Sequence, residues 1–195
     1  MNDYAQPDFY RFNEDSILLV KFILSKVSKI SSILDMGAGS GVMGIELSNI
    51  LFPSRLVLIE AQEEWKPFLE KNLNFFLKSE IQSEIIISTF GQWTPDSVFD
   101  LIVCNPPYYL PGRGVRSPDS RRDIARSFVI DGWDVLLNKI SKVLADDGHG
   151  FIVVRRDEAI LRELDRSSYL FDIKKYFIDH LVFIELRRLN INRDE

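Results

Sequence analysis

Two short patterns in this 195-residue chain combine residue types that can do chemistry. The first is Asn105-Pro106-Pro107-Tyr108, which follows the apolar run Phe99-Asp-Leu-Ile-Val-Cys104. Successive prolines end a strand and fix the backbone in an extended turn, which holds Asn105 at the strand's carboxyl edge. An aromatic amine or an amide nitrogen is a poor nucleophile because its lone pair is delocalised. Acceptors for its N–H groups draw that lone pair out, and here Asn105 offers a side-chain carbonyl and Pro106 a backbone one. Two such acceptors favour a pyramidal nitrogen aimed at an electrophilic carbon, so catalysis is orientation and electrostatics without a strong general base. Tyr108, with Tyr109 beside it, is suited to stack on a planar target and to stabilise positive charge developing there. Alone, the tetrapeptide also describes a proline-terminated strand with exposed tyrosines; its place after an apolar strand favours the chemical reading.

The second pattern is Asp35-Met-Gly37-Ala-Gly39-Ser-Gly41, between a strand-like and a helix-like segment. Glycines there let a nucleotide-like ligand approach the backbone without an intervening Cβ. Such a loop at the carboxyl end of a first parallel strand lies where open sheets bind ligands. Two cofactors compete for it, since Gly39-Ser-Gly41-Val-Met-Gly44 also satisfies a dinucleotide pattern. Asp35 favours S-adenosylmethionine, because a carboxylate suits that cofactor's ammonium and repels a pyrophosphate. Glu60, ending Val57-Leu-Ile-Glu60, can accept from both ribose hydroxyls. After the third strand, Phe90 is placed to pack on an adenine and Thr89 to bond its amino group. The plainer readings are a turn cap for Asp35 and a solvated strand end for Glu60.

Elements that position these residues alternate from residue 31 to about 165. Strands are expected at Ser32–Met36, Arg55–Glu60, 84–88, Phe99–Cys104 and 150–155, each a short apolar run. Trp65, Phe68, Leu69, Leu73, Phe76 and Leu77 recur at helical spacing, as do Trp133, Leu136, Leu137, Ile140, Val143 and Leu144. A helix over residues 14–30, capped by Asn13 or Asp15, precedes the first strand. Asp146-Asp147-Gly148 is expected to end the long helix, with the glycine left-handed. Residues 170–178 and Leu181–Arg188 read as an antiparallel hairpin, since Asp179-His180 is too short for a crossover. The fold class is therefore α/β and Rossmann-like: a seven-stranded, mostly parallel sheet with a C-terminal antiparallel hairpin and helices on both faces. One domain is expected, with residues 1–30 packed on a catalytic body of residues 31–195.

At 46% hydrophobic content the chain can bury a sizeable core. Its apolar stretches are too short to span a bilayer and its start lacks a leader pattern, so a soluble, cytoplasmic protein is expected, with no membrane partner and as a monomer. The lone Cys104 reads as a buried inert thiol, and two scattered histidines suggest no metal. A net charge of −5 argues against nonspecific coating of nucleic acid. The most basic stretch nevertheless carries Arg113, Arg116, Arg121, Arg122 and Arg126, which suit phosphates or simply pair with Asp119 and Asp123.

Together the two motifs resemble the class I methyltransferases of the adenine-N6 and glutamine-N5 branch. Tyr10-Arg-Phe-Asn-Glu-Asp15-Ser-Ile-Leu-Leu19 is similar to the opening of the tRNA1(Val) adenine-N6 group, and Ser117-Pro-Asp-Ser-Arg-Arg122 with Ala125-Arg126 to its later segment. The resemblance implies S-adenosyl-L-methionine as cofactor and an RNA partner, a transfer RNA, whose flipped adenine stacks on Tyr108 while Arg113, Arg116, Arg121 and Arg122 meet phosphates. It implies Asn105 to Tyr108 as the catalytic tetrapeptide, with Asn105 also beside the cofactor. This sequence departs from the group where Thr89 or Phe90 stands in place of an aspartate, where Ser127-Phe128 follows Arg126, and in the clipped turn between the last strands. A protein glutamine acceptor is the second reading, and a cofactor-binding protein without catalysis of its own the third.

Overall fold

Apolar runs with no polar face must be covered on both sides, and in the computed structural model they form one seven-stranded sheet ordered β3-β2-β1-β4-β5-β7-β6. The structure describes residues 3–10, 14–107, 119, 121 and 130–189. Strands β1 (Ser32–Met36), β2 (Arg55–Glu60), β3 (Gln82–Ile87), β4 (Phe99–Cys104) and β5 (Leu144–Arg155) are parallel. Strand β7 (Leu181–Arg188) pairs antiparallel with β5 and with β6 (Phe171–Ile178). Alternation decides which face each residue serves. Ile33, Leu56, Leu58, Leu101 and Val103 meet α1 (Glu14–Leu24), α2 (Val42–Leu51) and α3 (Lys66–Phe76). Leu34, Val57, Ile59, Ile102 and Cys104 meet α4 (Trp133–Val143) and α5 (Glu158–Arg166). The α/β class, the parallel core and the C-terminal hairpin are thus as the sequence implies. Among the described residues no helix is long and apolar enough to cross a membrane.

Local chemistry moved several boundaries. The first helix stops at Leu24, not at residue 30: the Ser25 hydroxyl donates to the Phe22 carbonyl at 2.6 Å and ends the ladder. Asp15 lies inside the first turn and is buried, so it is no cap, and Asn13 lies outside the described residues. The long helix ends at Val143, where Leu144 turns extended at φ −75° and ψ 127°. Asp146-Asp147-Gly148 therefore belong to β5, and Gly148 is not left-handed. Its missing Cβ matters for another reason, since one would sit 3.0 Å from the carbonyl oxygens of Phe99 and Ala145. The β4–β5 register shifts beside it, between Phe99 and Leu101. Helix α5, not singled out by sequence, is capped by Asp157 Oδ1, which accepts from the Ala159 and Ile160 N–H groups.

The N-terminal segment is tied to the domain by specific bonds. Tyr4 stacks on Phe76 at 4.5 Å and its hydroxyl donates to Glu46 Oε1 at 2.9 Å. Asn72 accepts from the Ala5 N–H and donates to the Ala5 and Ser40 carbonyls, joining this segment to the glycine loop.

Candidate active site

The strand order reverses between β1 and β4, so their carboxyl ends diverge and leave a crevice. The glycine loop leaves β1 on one side of it. Gly37, Gly39 and Gly41 have φ of 74°, 53° and 77°, a left-handed region that L side chains avoid. The Gly37 and Ala38 N–H groups both donate to the Ile59 carbonyl at 2.9 Å, pinning the loop to β2. A Cβ on Gly41 would also press on Leu69 at 3.0 Å and Ile45 at 3.3 Å.

Two carboxylates are buried around the loop. Glu60 Oε2 accepts from the Gly39 N–H at 2.9 Å and Oε1 from the Gln62 N–H at 3.0 Å. Burial raises its pKa, against the lowering effect of those backbone donors. Asp35 is fully buried; its Oδ2 accepts from the Gly44 N–H at 2.9 Å, whereas Oδ1 has no hydrogen-bond partner. Desolvation pushes its pKa up to about 7, the Gly44 N–H opposing and the Glu60 charge adding to the rise.

Across the crevice, β4 delivers Asn105. Its Nδ2 donates to Ser16 Oγ of α1 at 2.9 Å, while its Oδ1 is buried and without a partner. A cavity open to solvent joins the two sides. Gly37, Gly39, Glu60, Phe90, Asn105 and Pro107, all singled out from sequence, line it. Asp35 and Gly41 do not, lying instead beneath the loop and in its turn into α2. Pro106 is buried off the wall. Thr89 is off the wall too, and its Oγ1 accepts from the Gln92 N–H at 3.2 Å as a turn residue. Arg121 is held by Asp119, with contacts of 3.0 and 2.8 Å, and lies 4.8 Å from the Phe9 ring centroid. The pairing alternative thus describes Arg121. Tyr108, Tyr109, Arg113, Arg116 and Arg122 lie outside the described residues.

Sequence reasoning missed Tyr10, Ser16, Gln62 and Asp131, which share the cavity wall. It read Trp65 as core only, although that ring is both buried and on the wall. Asp131 Oδ2 accepts from the Gly91 N–H at 3.3 Å, next to Phe90. Gln62, two residues past the acidic strand end, was the one with a local signal. Cys104 is buried, with a thiol pKa raised by desolvation, and takes no part.

What this wall asks of a ligand is chemically definite. Gln62 Oε1 is a buried acceptor without a donor, and two carboxylates stand nearby. Such a site fits a cation carrying hydroxyl and amino donors, as S-adenosylmethionine does, and disfavours a pyrophosphate. The fold and site thus define a class, the Rossmann-like methyltransferases. Within it, the chain belongs to the methyltransferase small domain family, whose model matches residues 11–167. It is 28% identical over 169 residues to a tRNA1(Val) (adenine(37)-N6)-methyltransferase of Pedobacter heparinus, covering 86% of this chain and 66% of that protein. It is 23% identical to a ribosomal protein uL3 glutamine methyltransferase of Francisella tularensis, over 72% of this chain and 46% of that protein. The chain therefore spans two thirds or less of the length of these relatives. In structure it is similar to the N-methyltransferase NodS of Bradyrhizobium japonicum WM9 in complex with S-adenosyl-L-homocysteine, with a TM-score of 0.63, 17% identity, and coverage of 96% of this chain and 93% of that one. S-adenosylmethionine is the cofactor on which family, glycine loop and buried acids agree.

Proposed function

We propose that the chain methylates N6 of an adenine in RNA, a transfer RNA being the expected substrate. The supporting observation is Asn105, which lines the same cavity as the glycine loop and whose side-chain oxygen is buried and unpartnered. When bound, S-adenosylmethionine supplies an electrophilic methyl group on a sulfonium. Glu60 accepts ribose hydroxyls, and the left-handed glycines bring the backbone close to the cofactor. Asn105 Oδ1 would accept an N–H of the acceptor amine and so favour a lone pair aimed at the methyl group, whereas Pro106, off the wall, serves to end the strand that presents Asn105. Phe90 and Trp65 give the wall apolar surface that excludes water. The departing proton needs no strong base, since an N-methylated ammonium is acidic enough to pass it to solvent.

Adenine is favoured over glutamine by the Pedobacter relative, to which identity and coverage are both higher than to the glutamine methyltransferase. The test is incubation with tritiated S-adenosylmethionine and either total RNA or protein extract, then digestion. Label in N6-methyladenosine is expected. Label only in N5-methylglutamine would replace the RNA reading with the protein one. Cofactor binding without transfer to either fraction would leave a binding protein that needs a partner.

A further inference from the structure

Asn105 presents the acceptor oxygen only if its amide is held in one plane, and an asparagine χ2 torsion is broad and roughly two-fold. Nothing in the Asn-Pro-Pro-Tyr sequence sets it. In the structure that task falls to a residue of the N-terminal helix, 89 positions away: Ser16 Oγ accepts the Asn105 Nδ2–H at 2.9 Å. Ser16 is 3% exposed and lies in the first turn of α1, on the cavity wall. The opposite end of the amide, Oδ1, is equally shut off from water and has no partner. A buried acceptor left unmet is unfavourable by about 1–3 kcal/mol, so a ligand donor that reached Oδ1 would gain from an amide already held at its other end.

We propose that Ser16 is a positioning residue for methyl transfer, fixing the Asn105 amide so that its carbonyl is available to the acceptor amine. This rests on the methyltransferase reading of the site. It makes helix α1, which packs on α2 and β5, part of the catalytic apparatus instead of a mere cover for the sheet. Ser16 does not touch the reacting atoms; it acts through Asn105 alone. Removing its oxygen frees the amide to rotate, which lowers the fraction of bound acceptor in the reactive geometry without changing how tightly either substrate binds.

The test compares wild type with Ser16→Ala and Ser16→Thr, each labelled with 15N-asparagine, the Asn105 side-chain signals being identified by their loss in Asn105→Ala. In Ser16→Ala those two amide signals should move, and kcat should fall about tenfold or more, with the KM for RNA and the Kd for S-adenosylmethionine within about twofold of wild type. Threonine restores the hydroxyl and should return both the signals and most of kcat. Asn105 signals that stay in place in Ser16→Ala would overturn the proposal, as would a Ser16→Thr protein whose signals return while kcat remains at the alanine level. The amide signals need no methyl acceptor, so they judge the positioning role even if RNA proves not to be the substrate.

Discussion

Replacing Asp35 by asparagine isolates the electrostatic tension under the glycine loop. Burial holds this carboxyl at a pKa of about 7 against an ordinary 3.8, about three units. Each unit corresponds to about 1.4 kcal/mol between protonation states. For an acid whose folded pKa is raised, the folded chain binds the proton more tightly than the unfolded one. Stability is then fully present below about pH 4, falls as pH rises, and levels off above about pH 7. Between pH 5 and 8 the wild type should lose about 3 kcal/mol through Asp35, a loss the variant lacks. For a domain of this size that is ~6–12 °C in melting temperature. Asparagine can still accept the Gly44 N–H, and any penalty from its new amide hydrogens does not depend on pH. Glu60 titrates in both proteins, so the difference between the two melting curves belongs to Asp35. The assay is thermal unfolding by circular dichroism without cofactor, at half-unit pH steps. Melting curves whose difference stays constant from pH 5 to 8 would refute the reasoning. The same substitution should weaken S-adenosylmethionine binding about tenfold, because the charge that destabilises the fold is the one that favours the cofactor's cation.

Asn105→Ala should lower methyl transfer at least ~100-fold while calorimetry shows cofactor affinity within about threefold, since the lost carbonyl faces the acceptor and not the cofactor's main contacts. Glu60→Gln leaves one oxygen to accept from the Gly39 and Gln62 N–H groups and sets an amide NH2 against the other, so its melting temperature should fall and the cofactor Kd should rise about tenfold by calorimetry. Gly41→Ala forces an L side chain to φ 77° and against Leu69 at 3.0 Å. A loss of about 1–3 kcal/mol, read from urea unfolding midpoints, is expected.

These outcomes draw on features that were unequally visible in the chain itself. Strand β4 and the prolines after it were legible because their signals are local: an apolar run, then a residue type that cannot continue a ladder. The glycine loop was legible for the same reason, its left-handed residues being those that glycine alone adopts without strain. Helix ends were less so. Ser25 stops α1 through one side-chain bond, and β5 absorbs Asp146-Asp147-Gly148 because Gly148 allows the chain to pass close to the Phe99 carbonyl. Both depend on neighbours that a periodic pattern does not contain.

The site shows the same division with greater consequence. Asp35 was read as a ligand for the cofactor's ammonium, yet its one satisfied oxygen holds the Gly44 N–H at the start of α2 and it does not line the cavity. The charge can still act on a cation across the loop, but the carboxylate also fixes the helix that the loop opens, so sequence alone could not separate the two roles. The strand end that carries Asn105 was legible from the prolines after it, while Ser16, to which its amide donates, sits in a family-like opening segment that gave it no role. The contact exists only because the first turn of α1 comes to Asn105, just past the end of β4. If a methyltransferase of this design depends on that contact, the residues that decide the geometry of transfer are distributed between a conspicuous tetrapeptide and an ordinary-looking helix. Substituting Ser16 is therefore the sharper probe of how the Asn105 carbonyl comes to be free.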